Sequence, residues 1–419
     1  MDRRSFVTAL SATGAAVLAR PGALGADTVA GRPAAPTVPA THHAIRTEYP
    51  PIAPLGGDVF ARRLDRARGL ARQAGADAIL ATSGATNFEY LVGQNFGRSE
   101  RLVAVVVPVD GDPVLIAPSF EVERVRRGTK VAAGAIRGWE EDEDPFALLA
   151  TALGPRLARA AILVEPNTEY WTAMRVQRAL PSTRLVDGSA VFESLRLVKT
   201  AEELARMRRA VEITEDAIAA SFDQLQPGMR DVDVAKIVAA EHQKRGMGGG
   251  ALVQFGPQSA LPHGGTVDAE LRPGMVVLID GGGRFQGYAS DITRTRWFGD
   301  APSPKFREIY NLVHDAQSAA IAAVRPGVEA QAIDRAARDV IAKAGYGEFF
   351  THRLGHGMGM DGHEATYMVR GNTRRLEPGY VFSVEPGIYR LGEFGVRLED
   401  DYVCTEGGGE LLSRRAPKV

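Results

Sequence analysis

At 419 residues the chain is too long for one ordinary hydrophobic core, so two domains are expected. A hydrophobic content of 45% with 24% charged residues is that of a soluble globular protein, and 50 basic against 51 acidic side chains lack the basic surplus of a general nucleic-acid binder, so no nucleic-acid partner is expected. The single cysteine, Cys404, excludes an intrachain disulfide and a cysteine-based zinc site.

The first residues read as a targeting segment. Met1-Asp2-Arg3-Arg4-Ser5-Phe6 is a twin-arginine pattern, a mildly apolar stretch covers 7–19, and Ala23-Leu24-Gly25-Ala26 offers a cleavage site. The expectation is a twin-arginine signal peptide over 1–26 and a periplasmic or secreted protein. No membrane span is expected in the mature chain, because the apolar stretch is short and rich in Ala and Gly. Residues 27–54, rich in Ala, Pro and Thr, are expected to form a linker or a loosely packed lead-in.

Residues 55–198 have the alternation of a small α/β domain. The spacing predicts a helix over 59–75 with a glycine stop, apolar strands over 102–107 and 113–117 joined by Asp110-Gly111-Asp112, a helix over 146–160 and a strand over 161–164. No catalytic cluster is legible there.

A second domain is expected over 199–419. Thr200-Ala201-Glu202-Glu203 has the spacing of a capping box, and Leu204, Met207, Val211 and Ile218 recur on one helix face. A second helix is predicted over 232–244, followed by strands. The order then repeats, with helices over 305–324 and 330–344 stopped by Pro326-Gly327 and Gly345, and strands over 380–385 and 395–399. Two rounds of helix, helix and strands predict two related halves facing one another.

The chemistry gathers in this second domain. Met275-Val276-Val277-Leu278-Ile279 reads as a buried strand ending in Asp280-Gly281-Gly282-Gly283, and the chain returns through Tyr288-Ala289-Ser290-Asp291. With Phe285-Gln286 at the tip of a hairpin, Asp280 and Asp291 would sit directly opposite each other, where like charges repel unless a cation joins them. Glu385 ends an apolar run before the strand-breaking Pro386. Arg397 and Glu399 alternate with Val396 and Leu398 and are expected on one face, as an ion pair that would also orient a metal-binding carboxylate. His352, His356 and His363 fall in one glycine-rich stretch, and the glycines around His356 would let the backbone approach a ligand. Asp280, Asp291, Glu385 and Glu399 with His356 form a donor set suited to Mn²⁺, Co²⁺ or Zn²⁺. Two such ions would share a water, lower its pKa and polarise a carbonyl, as amide hydrolysis requires.

Asp280 and Asp291, Thr351-His352-Arg353-Leu354-Gly355-His356-Gly357-Met358-Gly359, His363-Glu364, Ser383-Val384-Glu385-Pro386-Gly387 and Val396-Arg397-Leu398-Glu399-Asp400-Asp401 together resemble the "pita-bread" metallopeptidases, above all the prolidase and Xaa-Pro aminopeptidase branch. Thr86-Asn87-Phe88-Glu89-Tyr90-Leu91 and Ser99-Glu100-Arg101 more loosely resemble the creatinase-like domain that precedes it. The resemblance implies an α/β (α+β) protein with a creatinase-like N-terminal domain and a pita-bread catalytic domain of two pseudo-symmetric halves. It also implies two divalent metal ions (Mn²⁺ first, Co²⁺ or Zn²⁺ as alternatives), a homodimer, and hydrolysis of a proline-containing di- or oligopeptide at its Xaa-Pro bond. By position, Asp280, Asp291, His356, Glu385 and Glu399 would be the metal ligands, with Asp291 and Glu399 bridging. Glu385 would also manage the proton of the nucleophilic water. His263 would lie near the scissile bond, His363 would contact the substrate carbonyl, and His352 would line the pocket. Arg397 would orient the surrounding network, with Thr293 as a hydrogen-bond donor. Ala365-Thr366 stands where many relatives place a proline nearby, which leaves chain-length preference open. Two alternatives remain: a creatinase-like hydrolase of a small C–N substrate, whose kind lacks the metal ligands, and a non-catalytic peptide-binding relative, whose kind usually loses some.

Overall fold

The computed structural model describes residues 44–419 apart from 133–134, 158 and 266–268; the signal peptide and the first part of the linker read from the sequence lie outside the described residues. The first domain is a six-stranded mixed sheet, in the order β4-β3-β2-β1-β5-β6, made of β1 (Ala78–Thr82), β2 (Ala104–Pro108), β3 (Val114–Pro118), β4 (Ile136–Trp139), β5 (Ala161–Val164) and β6 (Arg184–Asp187). Its helices are α1 (Gly57–Gln73), α2 (Thr86–Val92), α3 (Val122–Gly128), α4 (Pro145–Leu157), α5 (Tyr170–Ala179) and α6 (Ser189–Leu197). Side chains alternate across a strand. Along β1, Ile79 and Ala81 join one core with Leu64 of α1 and Phe192 of α6, while Leu80 joins a second with Phe146 of α4 and Val176 of α5. The helix predicted over 146–160 is interrupted, because Gly154 takes φ 66°, a conformation a helix cannot use.

The second domain repeats its element order. The first round is α7 (Ala201–Phe222), α8 (Asp231–Lys244), β7 (Gly248–Phe255), β8 (Met275–Phe285), β9 (Tyr288–Ala289) and β10 (Ile292–Phe298). The second is α9 (Pro304–Ala323), α10 (Ala330–Lys343), β11 (Gly355–Gly357), β12 (Glu364–Met368), β13 (Val381–Val384), β14 (Gly387–Arg390), β15 (Phe394–Arg397), β16 (Asp400–Thr405) and β17 (Gly408–Leu411). Each round builds a sheet, β10-β8-β7 with β9 at the hairpin end, and β12-β11-β13-β16-β17. The capping box forms as its spacing predicts: Thr200 accepts from the Glu203 backbone N–H (3.3 Å) and Glu203 accepts from that of Thr200 (2.8 Å). Val277 and Ile279 of β8 share a core with Met207, Val211 and Ile218 of α7 and with the first domain, whereas Phe382 and Val384 of β13 share a separate core with α9 and α10.

Two expectations are corrected. The hairpin tip is Gln286-Gly287, both with positive φ, one residue later than predicted. Thr293 therefore pairs with Asp280, and Asp291 lies two residues further along, diagonal to Asp280 on the same face. The described part of the presumed linker is also not loose. Arg209 donates to the Pro50 carbonyl oxygen, Arg245 to that of Arg46 (2.8 Å), and the Tyr49 hydroxyl to Asp216 (2.8 Å), so α7 and α8 strap this segment down.

Candidate metal centre

Both halves of the second domain send acidic groups to one place. Asp280 lies on β8, Asp291 in the gap between β9 and β10, His356 on β11, Glu385 just beyond β13, and Glu399 between β15 and β16. Ligand atoms of Asp280, Asp291 and Glu399 lie within 4.8 Å of one another, as do those of His356, Glu385 and Glu399. A third such group, Asp291, His356 and His363, adds a residue read from the sequence only as a substrate contact. The His356 Nε2 is 3.5 Å from Glu385 and 3.8 Å from Asp291. Its Nδ1–H donates to the Gly357 carbonyl oxygen (3.1 Å), which leaves the Nε2 lone pair facing the carboxylates.

Local sequence explains the arrangement. A Cβ on Gly357 would come within 2.2 Å of the Ala365 carbonyl oxygen, and one on Gly355 within 2.0 Å of that of Ser383. The glycines flanking His356 thus admit the neighbouring strand segments, not a ligand as the sequence alone suggested. Gly282 serves the same end in the hairpin, where a Cβ would meet the Ser290 carbonyl oxygen at 2.1 Å.

Electrostatically the cluster is overloaded with negative charge. Burial, then the charges of Asp280, Asp401 and Glu385, drive Asp291 well above the usual carboxylate range. Burial and the neighbouring Asp291 and Glu385 do the same to Glu399, and burial pushes Glu385 up to about 8. Burial holds His356 down to about 3, in its neutral, ligating form. The cation ion-paired into the cluster is Arg397, which donates to Asp280 (2.6 Å). The pair predicted between Arg397 and Glu399 is instead relayed: Arg397 Nε donates to Thr293 Oγ1 (3.1 Å), which donates to Glu399 (2.6 Å). Four partly or fully buried carboxylates crowded around one ion-paired guanidinium are costly to keep charged, and protons or a bound cation relieve that cost. The five donors therefore fit a divalent metal.

Other predicted residues line the approach. The His363 ring stacks on His356 with centroids 3.7 Å apart, and His363 Nδ1 is 3.1 Å from Arg353. His352 is held neutral, its pKa lowered by burial to about 4, with Nδ1 against the Arg353 carbonyl oxygen (2.7 Å) and Nε2 against the Tyr389 hydroxyl (2.8 Å). His263 sits on an exposed turn beside Pro262, whose carbonyl oxygen accepts from Arg397 (3.1 Å).

Three contributors escaped the sequence reading. Tyr389 joins Arg397 (3.0 Å) to His352, and nothing local marks it. Buried Asp401 accepts from the Asp291 backbone N–H (3.1 Å), and its place at the end of the acidic run Glu399-Asp400-Asp401 gave no sign of that role. Arg353 stands beside His363 with its guanidinium 4.4 Å from the Tyr367 ring centroid.

The chain is similar to known proteins over most of its length. Residues 205–406 match metallopeptidase family M24, and residues 63–198 match the creatinase/prolidase N-terminal domain. The chain is 36% identical over 360 residues to "Probable dipeptidase PepE" of Mycobacterium bovis, covering 84% of this chain and 93% of that protein. The crystal structure of dipeptidase PepE from Mycobacterium ulcerans superposes with a TM-score of 0.80 at 37% identity, covering 87% of this chain and 98% of that one. The prolidase from Thermococcus sibiricus does so with 0.79 at 30% identity, covering 86% and 98%.

Proposed function

The chain belongs to metallopeptidase family M24, and from that premise we propose that it is an Xaa-Pro peptidase acting on dipeptides with two divalent metal ions. The observation that carries this reading is the convergence of Asp280, Asp291, His356, Glu385 and Glu399 from both halves of the domain, with His363 and Arg353 beside them. Four carboxylates from both halves, only one of them ion-paired to Arg397, would hold two divalent ions between them. The donor types suit Mn²⁺ first, then Co²⁺ or Zn²⁺. Bound there, the ions supply an acidified water and a polarised scissile carbonyl.

The chain's own groups supply the rest. Glu385 takes the proton of the attacking water and delivers it to the leaving proline nitrogen, which as a tertiary amide offers no N–H of its own. His363 donates to the carbonyl oxygen as negative charge develops on it, and His263 faces the scissile bond from the opposite turn. Arg353 receives the free carboxylate of the second residue, the natural partner of a guanidinium and present at that distance only in a dipeptide. The relatives named as dipeptidases support the same preference. His352 and Tyr389 hold Arg397, and through it Asp280, in position.

The test is proline release from Xaa-Pro dipeptides and Xaa-Pro-Xaa tripeptides by metal-stripped protein given Mn²⁺, Co²⁺ or Zn²⁺. Metal-dependent cleavage of dipeptides, lost selectively in Arg353→Ala, is the expected result. Faster cleavage of tripeptides would move the enzyme to the Xaa-Pro aminopeptidases. No cleavage by folded, metal-loaded protein overturns the reading. We further propose a homodimer and export by the twin-arginine route, checked by sedimentation and by fractionating cells that carry Arg3→Lys with Arg4→Lys.

A further inference from the structure

Behind the hairpin that carries Asp291 runs a chain of buried side chains that the peptidase reading does not use. Thr214 of α7 and His242 of α8 are fully buried, and Ser290, the residue before Asp291, is nearly so. The His242 Nε2 lies 3.0 Å from the Thr214 Oγ1, which lies 2.8 Å from the Ser290 Oγ. A Cβ on Gly249 would come within 2.5 Å of the His242 ring, so this glycine of β7 leaves the room in which the imidazole lies against the sheet.

The direction of each bond follows from the far end of the chain. The Val238 carbonyl oxygen can only accept, so the His242 Nδ1, 2.8 Å away, carries the ring proton. Burial lowers the pKa of His242 and keeps the ring neutral, so its Nε2 accepts from the Thr214 hydroxyl. The Thr214 oxygen is then the acceptor for the Ser290 hydroxyl. The other acceptor within reach of Ser290, the Gly283 carbonyl oxygen, is farther off at 3.4 Å. The Ser290 Oγ in turn accepts from the Gly283 backbone N–H (3.2 Å).

The chain ends at a gap in the sheet. Ser290 and Asp291 fall between β9 and β10, so neither belongs to a paired strand. Ser290 keeps one backbone bond there, to the Gly283 carbonyl oxygen (3.1 Å), and the Asp291 N–H leaves the ladder for Asp401 (3.1 Å). Where ladder bonds are missing, side chains must fix the backbone. Consecutive residues of an extended chain face opposite ways, so anchoring Ser290 toward α7 and α8 aims Asp291 at the metal centre.

We propose that Thr214 and His242 are positioning residues of the metal centre, acting through Ser290 to hold the Asp291 carboxylate where it can ligate; this rests on the metallopeptidase reading. Titration of the full-length, metal-stripped protein with Co²⁺, followed by visible absorption and by competition with a chelator, tests it. Thr214→Val keeps the side-chain shape and removes the hydroxyl, whereas Thr214→Ser keeps the hydroxyl. In folded protein, Thr214→Val should weaken Co²⁺ binding about tenfold or more and shift the Co²⁺ absorption bands, the usual cost of losing a group that orients a ligand. Thr214→Ser should retain both affinity and spectrum. Ser290→Ala, a cut at the other end, should weaken binding likewise, and it carries the test if Thr214→Val does not fold. Unchanged affinity and spectrum in a folded variant without the hydroxyl, or an equal loss in Thr214→Ser, overturns the proposal. Failure of the unaltered protein to bind Co²⁺ would instead overturn the metal reading, and this proposal with it.

Discussion

Glu364 and Glu385 are largely covered glutamates of the same half of the catalytic domain, yet their surroundings drive them apart. Burial acts to raise both. At Glu364 it is outweighed by Lys199, 3.3 Å away, and by Arg196, so the carboxylate is held below its usual range. At Glu385 burial and the charge of Asp280 outweigh Arg397 and Arg353, and the pKa rises to about 8. Arg196 also binds Asp361 (2.6 Å), which accepts from Thr86 of the first domain (2.6 Å), so this cluster is a closed joint between domains beside His363. A cluster that balances its own charge holds a fold together; one that does not is waiting for a ligand.

The sharpest way to break the comparison is to remove one acid from each side. Asp291→Asn should lower kcat/KM by about three orders of magnitude or more and reduce bound metal, with the fold intact, because the metals supply several kcal/mol of transition-state stabilisation. Metal analysis and circular dichroism on the same sample check it, and near-normal turnover would remove the basis of the metal assignment. Glu364→Ala should do the opposite. Stranding Lys199 in the interior, while Arg196 keeps Asp361, should cost about 3–5 kcal/mol of unfolding free energy, since breaking a buried pair leaves an uncompensated charge. Metal content per folded molecule should stay unchanged, as urea unfolding and metal analysis would show.

Smaller changes sharpen the contrast. Thr293→Val cuts the relay from Arg397 to Glu399 and should lower metal affinity or activity about 10- to 100-fold, the usual cost of losing a group that orients a ligand. A metal titration showing unaltered affinity together with unaltered kcat would refute that role. The smallest effect is on pH dependence. Between pH 6.5 and 8, folded metal-free protein keeps the Glu385 proton that the unfolded chain, with a carboxylate pKa of about 4.3, has lost. The unfolded state binds fewer protons, so stability should fall as pH rises through this window, on the order of 1 kcal/mol per unit for this group. Glu364, already below its usual range, contributes nothing there. Below about pH 6.5 the sign reverses for His356 and His352, which refuse protons the unfolded chain accepts. A urea midpoint that holds steady or climbs from pH 6.5 to 8 would contradict this.

Much of the site was legible because it is written in local contexts. Asp280 ends an apolar run, Glu385 precedes a proline, and His356 stands between glycines, so each announces a polar group held in an apolar setting within a few residues. The capping box on α7 and the repeat of helix, helix and strands were readable for the same reason. The hairpin register was not, because a shift of one residue at the tip changes no local pattern yet moves Asp291 from opposite Asp280 to its diagonal. Tyr389, Asp401 and Arg353 stayed hidden, since each acts on a residue that the chain alone does not place beside it.

The sequence by itself determined the domain types, the acidic and histidine donors to look for and the chemistry such donors suit, because donor identity and a place beside an apolar run are properties of short segments. Tertiary structure decided which acid each cation serves. Arg397 turns to Asp280 and reaches Glu399 only through Thr293, while Lys199 and Arg196 close on Glu364. It also opened a cavity behind β10. Pairing and cavities are sums over groups distant in the chain, and Coulomb and packing forces act on distance in space, which only the folded chain defines.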